Sequence, residues 1–314
     1  RRKIMLYSSY KFLSDFFMND LVVKTNWINQ ALQNLSLIEI RIIQLAIIDA
    51  RESGKGLSAD KPLTISAKRY ADAFNVQAKN AYANIKEAED TLFKRQFSFI
   101  DSDGNAVKSR WVQDVKYLDA QGAIEICLTR QVVKGISRID GAVDFFTQYL
   151  LSNTVKFKSV YSVRLYELLA QWKNADMRKI PIFELQTFRK QLGVEDDEYI
   201  RMFDFKKYVL DKAINEINKH SDLVVSYEQV KKGRVISGFK FKISEKANNE
   251  NHDFKMTDKQ RFAFADKLAH YERLSGLAGS MTYKEYAQHI AEELKTDAGT
   301  SFYKPYLLEL GFKM

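Results

Sequence analysis

Residues 205–243 read FKKYVLDKAINEINKHSDLVVSYEQVKKGRVISGFKFKI, and the fold turns on how this stretch is read. Phe205, Val209, Ala213, Ile214 and Ile217 recur at helical spacing, which gives one apolar face for a core. Lys206, Lys207, Lys212, Asn215, Asn218 and Lys219 occupy the other side. After Asp222 the pattern alternates. Val225, Tyr227 and Gln229 share one face of a strand, and Val224, Ser226 and Glu228 the other. Lys231, Lys232, Gly233 and Arg234 supply a glycine-containing turn, and Val235–Ile243 returns as the partner strand. A helix with a Lys/Asn-rich face followed by a basic hairpin is the outline of a winged helix. A helix is narrow enough for a DNA major groove, and the hairpin can reach phosphate. The same residues also fit an ordinary helix and hairpin with solvated lysines, because Asp211 and Glu216 dilute the basic face. On these residues alone both readings stand.

Working outward, the same order of elements occurs twice. Ser36–Arg51 is a helix with Ser36 as cap and Glu39 placed to complete a capping box. Pro62–Ile65 is a short strand, Ser66 caps a short helix over Ala67–Phe74, and Lys79–Gln96 is a long helix. Phe97–Ile100, Ser109–Leu118 and Ala123–Leu128 read as strands, with turns at Asp103-Gly104-Asn105 and Gln121-Gly122. Gln131–Ile136 is a short helix or connector. In the second half Ser159–Trp172 matches the first helix, Ile180–Ile182 the strand, Glu184–Leu192 the short helix and Phe205–Lys219 the long one. Tyr70 aligns with Phe188, Phe74 with Leu192 and Val76 with Val194. A period of roughly a hundred residues indicates two related domains, since solenoid repeats are ~20–50 residues. Each is a helix-turn-helix closed by a hairpin. The first copy's long helix carries Glu87, Glu89 and Asp90, which repel phosphate, so it reads as core and dimer contact.

The predicted fold class is therefore α+β: tandem winged-helix (helix-turn-helix plus β-hairpin) domains with a small C-terminal helical extension. The expected boundaries are an N-terminal tail at 1–20, domain 1 at 21–140, domain 2 at 141–245, a polar linker at 246–256 and the extension at 257–314. The boundary between the two domains falls near Ile139–Val143. Residues 1–17 are expected to be upstream sequence, with Met18 as a natural start. In the extension Thr257–Ser275, Thr282–Leu294 and Ser301–Leu310 are helical candidates.

The chain has 314 residues, a formal net charge of +9 and 46% hydrophobic residues. It can bury real cores, and the charge favours an anionic partner, nucleic acid before membrane. Cys127 lies in an apolar alternating segment and reads as a buried strand residue. As the only cysteine, it excludes a disulfide within one chain, which fits a cytosolic setting. No apolar run reaches the ~18 residues of a membrane span. A GxxxxGK[ST] loop for nucleotide phosphates is absent. His220, His252, His270 and His289 do not pair at metal-ligand spacing, and a strand-nicking centre wants adjacent histidines beside its tyrosine. The expectation is no enzyme, no metal and no cofactor.

At this point the chain resembles the iteron-type plasmid replication initiators, the Rep proteins built from two winged-helix domains, and among them the smaller initiators of Acinetobacter-like plasmids. The resemblance runs from Leu21 to Ile243. It rests on LSLIEIRIIQLAIIDAR (35–51), Phe97 with Ser109-Arg110-Trp111-Val112, YSVRLYELL (161–169), FRKQLGV (188–194) and Phe205–Lys242. It implies binding to directly repeated double-stranded origin sites, origin opening and recruitment of host replication proteins such as helicase and initiator. It also implies a dimer that represses its own gene, in equilibrium with an initiating monomer. Domain 1 would hold the dimer and add auxiliary DNA contacts, and domain 2 would be the main reader. Tyr199–Lys207 matches the family's basic approach to the recognition helix. Arg201 is then the first candidate for a bidentate guanine contact, with Lys206, Lys207 and Asn215 along the helix. Lys231, Lys232 and Arg234 would touch phosphate from the wing. Lys108 and Arg110 are candidates in the first domain's hairpin. Arg164 is a further candidate that could instead pair with Glu167. A pure repressor, or a strand-nicking initiator enzyme, would be the alternatives.

Overall fold

The computed structural model describes residues 20–137, 145–173, 175–246, 256–271, 274, 281–295 and 297–312. All of the expected tail but Asp20, the junction at Ile139–Val143 and most of the linker lie outside the described residues. The chain divides into two compact units, 1–246 and 247–314. Both winged helices belong to the first unit, and they share one core.

The first winged helix begins with β1 (Leu21–Thr25), α1 (Asn26–Asn29) and β2 (Leu32–Gln33). Helix α2 (Leu37–Ser53) starts where the sequence said it would. The Ser36 side chain accepts from the Glu39 backbone N–H at 3.2 Å, and Glu39 accepts in return from Ser36 N at 2.6 Å. Two otherwise orphaned amides are thereby satisfied. Then come β3 (Leu63–Ser66), α3 (Ala67–Phe74), capped by Ser66, and α4 (Ala78–Leu92). Helix α4 stops short of the predicted Gln96. Arg95 turns away to hold the buried Glu39 carboxylate, and Gln96 opens β4 (Gln96–Ile100). The predicted strand Ser109–Leu118 is in fact two. Trp111 is buried, with its ring 4.6 Å from Phe97, and it turns the chain between β5 (Ala106–Arg110) and β6 (Val112–Leu118). β5 pairs with β4, which pairs with β2. β6 pairs with β7 (Ala123–Leu128), which pairs with β3. The true wing is therefore β6–β7, and β4–β5 is an inserted hairpin. Cys127 is buried on β7, as expected. Helix α5 (Arg130–Ile136) closes this half.

The second winged helix repeats the plan. β8 (Phe146–Leu150) leads to α6 (Val160–Ala170). The strand lies at β9 (Phe183–Glu184), just past the predicted Ile180–Ile182, where Pro181 has no N–H to give a ladder. α7 (Leu185–Leu192) follows. Met202–Asp204, Phe205–Leu210 and Asp211–His220 then run on as one rod. β10 (Leu223–Lys232) and β11 (Val235–Glu245) form the wing, and β11 pairs with β9 as β7 pairs with β3.

The two halves clasp each other. β1 pairs antiparallel with β8, from Leu21↔Leu150 to Thr25↔Phe146. Arg41 on α2 donates to the carbonyls of Val155 and Phe157 (3.2 and 2.9 Å), ahead of α6. Arg164 occupies the same place on α6, at the same offset from its capping serine. It donates to the carbonyls of Asn29 and Ala31 (3.0 and 3.3 Å), ahead of α2. Each half thus lends an arginine to the other's backbone. Between them Glu167, fully buried, binds Lys24 Nζ at 2.7 Å and Arg164 Nη1 at 2.7 Å, and accepts from the Tyr149 hydroxyl at 2.6 Å. Burial alone would raise its carboxyl, but Lys24 and Arg164 outweigh burial and hold it below the usual range. Burial brings the Lys24 ammonium down to about 8, against the pull of Glu167.

The second unit has its own core, which includes Leu268, Tyr286, Ile290 and Leu307. Its helices are α8 (Asp258–Ala269), α9 (Tyr283–Glu293) and α10 (Asp297–Glu309). Thr257 and Thr282 both complete capping boxes, so the expected starts hold for the first two.

Candidate nucleic-acid interface

The rod is set by its buried side. Phe205, Val209, Ala213, Ile214 and Ile217 are all buried, and Leu210 joins them. Burying a side chain of this size is worth ~1.5–3 kcal/mol, so this stripe fixes which side faces out. After its first residues, Met202–Asp204, the rod passes through a π turn, Phe205–Leu210, which sequence spacing did not reveal. Such turns insert an extra residue into a helix and recur at functional sites.

Outward, Lys207, Lys212, Asn215 and Lys219 are exposed and Lys206 is half-buried. Lys207 Nζ lies 5.7 Å from the Phe203 ring and 5.1 Å from the Tyr208 ring. The carboxylates that dilute this face are all engaged within the protein. Asp204 accepts from Arg201 Nε at 2.5 Å, Asp211 from the Tyr227 hydroxyl at 2.9 Å and Glu216 from the Lys158 backbone N–H at 3.0 Å. Among the described residues Lys206, Lys207, Lys212 and Lys219 have no ion-pair partner. Asn218, placed on the polar face by spacing, instead ties the rod to β10 through bonds to Val225 N and O (2.6 and 2.9 Å).

In the wing, Val225, Phe239, Phe241 and Ile243 turn inward. The register slips at Val230/Lys231, and Gly233 at φ +64° makes the tight turn that a glycine-first hairpin requires. Lys231, Lys232 and Arg234 are exposed at its tip. Lys240, which sequence reasoning did not single out, adds another exposed cation on β11, while Lys242 is paired with Glu228 at 2.5 Å. Strand alternation alone placed Lys240 outward and was the signal for it.

Arg201 sits at the N-terminus of the rod, with its side chain 80% exposed and aligned by Asp204, which also raises its pKa. Arg164 belongs elsewhere. It is 2% exposed and pairs with Glu167, the alternative its spacing offered, while its remaining donors go to the carbonyls of Gln191, Asn29 and Ala31, so it is not placed to touch DNA. Lys108 and Arg110 are exposed on β5, in the inserted hairpin and not on the first wing. Arg110 donates to the Phe93 carbonyl at 2.8 Å and stacks 4.9 Å from its ring. Lys108 shares a cleft with Lys190, Gln33 and Asn34.

The first module's equivalents carry the opposite charge. Its wing bears Asp114, Asp119 and Glu125 against Lys116, whereas the second bears Lys231, Lys232, Arg234, Lys240 and Lys242 against Glu228 and Glu245. On α4, Glu87 and Asp90 are exposed. Among the described residues no His/Cys/Asp/Glu group could hold a metal ion, and no helix is long and apolar enough to cross a membrane.

The family profile described as "Initiator Replication protein, WH1" matches residues 21–170, and "Initiator Rep protein, WH2" matches 184–243. Among curated proteins the chain is 27% identical to the "PI protein" of Escherichia coli over 247 residues, 69% of this chain and 80% of that protein. It is 22% identical to an "Uncharacterized 27.6 kDa protein" of Escherichia coli, over 72% of this chain and 95% of that one. Its fold resembles the crystal structure of the Pi initiator protein in complex with iteron DNA, with a TM-score of 0.60 and 24% identity over 74% of this chain and 99% of that one. The first profile covers the first module and runs on through β8 and α6 of the second, the other covers β9 through β11, and the chain belongs to the family of replication initiator proteins.

Proposed function

We propose that this initiator reads directly repeated double-stranded DNA at a plasmid origin, chiefly through its second winged helix. The observation that carries the reading is the rod's outward face. Its carboxylates are bonded within the protein while its lysines are left to solvent. That face carries net positive charge toward a polyanion, and the basic wing tip extends it. Arg201 would read a base edge, Lys206, Lys207 and Asn215 would line the groove, and Lys231, Lys232 and Arg234 would meet phosphate. Lys108 and Arg110 would add contacts from the first module, which also holds a dimer that represses its own gene. The monomer would open the origin and recruit host helicase and initiator. The protein works in the cytoplasm by binding, without covalent chemistry on DNA.

Footprinting on DNA flanking the gene tests this. Protected direct repeats of ~20 base pairs are expected, about two modules a helical turn apart. A plasmid carrying that DNA, with the protein supplied in trans, should replicate. Protection without replication leaves a repressor, and a covalent tyrosine–DNA adduct would mark a nicking enzyme.

A further inference from the structure

The approach to the rod and its first turn expose two large apolar side chains, Ile200 (78% exposed) and Phe203 (65% exposed). Neither serves the core. The segment is nevertheless firmly held. Arg189, 9% exposed, donates to the carbonyls of Tyr199 (3.2 Å), Glu195 (3.3 Å) and Glu198, while its guanidinium lies 4.9 Å from the Phe205 ring. Tyr199 takes φ +43°, a conformation that a bulky residue keeps only where its surroundings impose it. Its ring packs against Tyr161 and Tyr208 at 6.0 and 6.3 Å. A buried arginine and a strained tyrosine thus fix two oily side chains in water.

Resting on the reading of the rod as the DNA-facing helix, we infer that Ile200 and Phe203 are specificity residues that contact thymine C5-methyl groups in the major groove. The neighbours decide the occupant. Arg201 lies between the two, Lys206 and Lys207 follow on the rod, and Asp204 is bonded to Arg201. Such a basic rim suits a nucleic acid better than an apolar protein groove. The apolar group that the major-groove edge offers is the thymine methyl.

The test begins with duplexes selected from a randomised library by the full chain. Each thymine of the consensus is then replaced by deoxyuridine, which removes only the methyl group. Binding by the unaltered protein should fall about fourfold at one or more positions, the worth of one buried methyl. Ile200→Ala and Phe203→Ala, both at exposed sites and expected to keep the far-ultraviolet circular dichroism of the parent, should each abolish the loss at its own position. Phe203→Leu should retain it. A consensus whose deoxyuridine forms all bind like the parent overturns this inference but spares DNA reading. So do variants that keep full sensitivity, which would assign the pair to a protein contact. A library that yields no consensus overturns both.

Discussion

The two winged helices share a topology down to the strand that closes each wing, but their outward surfaces diverge. β7 returns to β3 as β11 returns to β9, and Tyr70 and Phe188 sit fully buried at matching places. Yet the first wing is acidic and the second basic. Fold is set by the inward half of each strand and helix, which the copies kept. Charge lives on the outward half, which is free to diverge without cost to packing. A comparison of the copies therefore separates residues that build the module from residues that use it.

The largest expected effect lies in the clasp, where the copies differ in burial. Arg164→Met removes one of the two buried cations that hold Glu167 and releases the carbonyls of Gln191, Asn29 and Ala31, and should cost ~3–5 kcal/mol in denaturant unfolding. Arg41→Met, which releases two carbonyls at a half-buried site, should cost about 1–2 kcal/mol. Equal costs would mean that the buried charge is not what distinguishes them. The acid limb sharpens this. Glu167 is held below its unfolded pKa, so its contribution is present above ~4.3 and is lost as pH falls through the folded value. Arg164→Met should bring acid unfolding to higher pH.

Next comes the wing. Neutralising Lys231, Lys232 and Arg234 together to Gln should weaken duplex binding about 100-fold and flatten the log–log salt slope by roughly 2–3 units. Lys116→Gln on the first wing should change neither, as read by fluorescence anisotropy across salt. Arg201→Ala should cost on the order of 1–3 kcal/mol at one base position and relax specificity there. A loss spread evenly over all sequences would make it a phosphate contact.

The smallest effect concerns the cap after each short helix. Asn75 and Gly193 both take the left-handed conformation, at φ +51° and +82°. A Cβ on Gly193 would lie 2.9 Å from the Gln33 carbonyl oxygen, where the second module meets the first. Gly193→Asn should therefore cost about 1 kcal/mol, while Asn75→Gly shifts thermal stability by only a few tenths.

What the sequence disclosed was local or periodic. Ser36 with Glu39, Ser66 before Ala67 and the stripe from Phe205 to Ile217 need only neighbours along the chain. The order of elements, repeated, then gave the topology. What escaped it depended on distant partners. Trp111 ends a strand because it packs on Phe97, and no alternation in Ser109–Leu118 marks that break. The pairing of Arg164 with Glu167 was legible in their spacing, but its hold on the Asn29 and Ala31 carbonyls of the other module was not. Its alignment with Arg41 after the two capping serines was the available sign that both serve packing. For the interface, basic spacing found Lys207 and the wing tip but could not show that Asp204, Asp211 and Glu216 are bonded to partners within the protein, nor that the rod passes through a π turn after its first residues.

The exchange of arginines between α2 and α6 bears on how long a site this protein can accept. Two heads joined by a slack tether would tolerate spacers of many lengths. Here the heads are locked at one separation and one relative twist. If both heads grip DNA as proposed, adding a single base pair between their footprints turns the far contact by roughly 35° around the duplex, and the clasp opposes the rotation needed to follow it. Insertions inside an origin repeat should thus be rejected far more sharply than base changes at its edges.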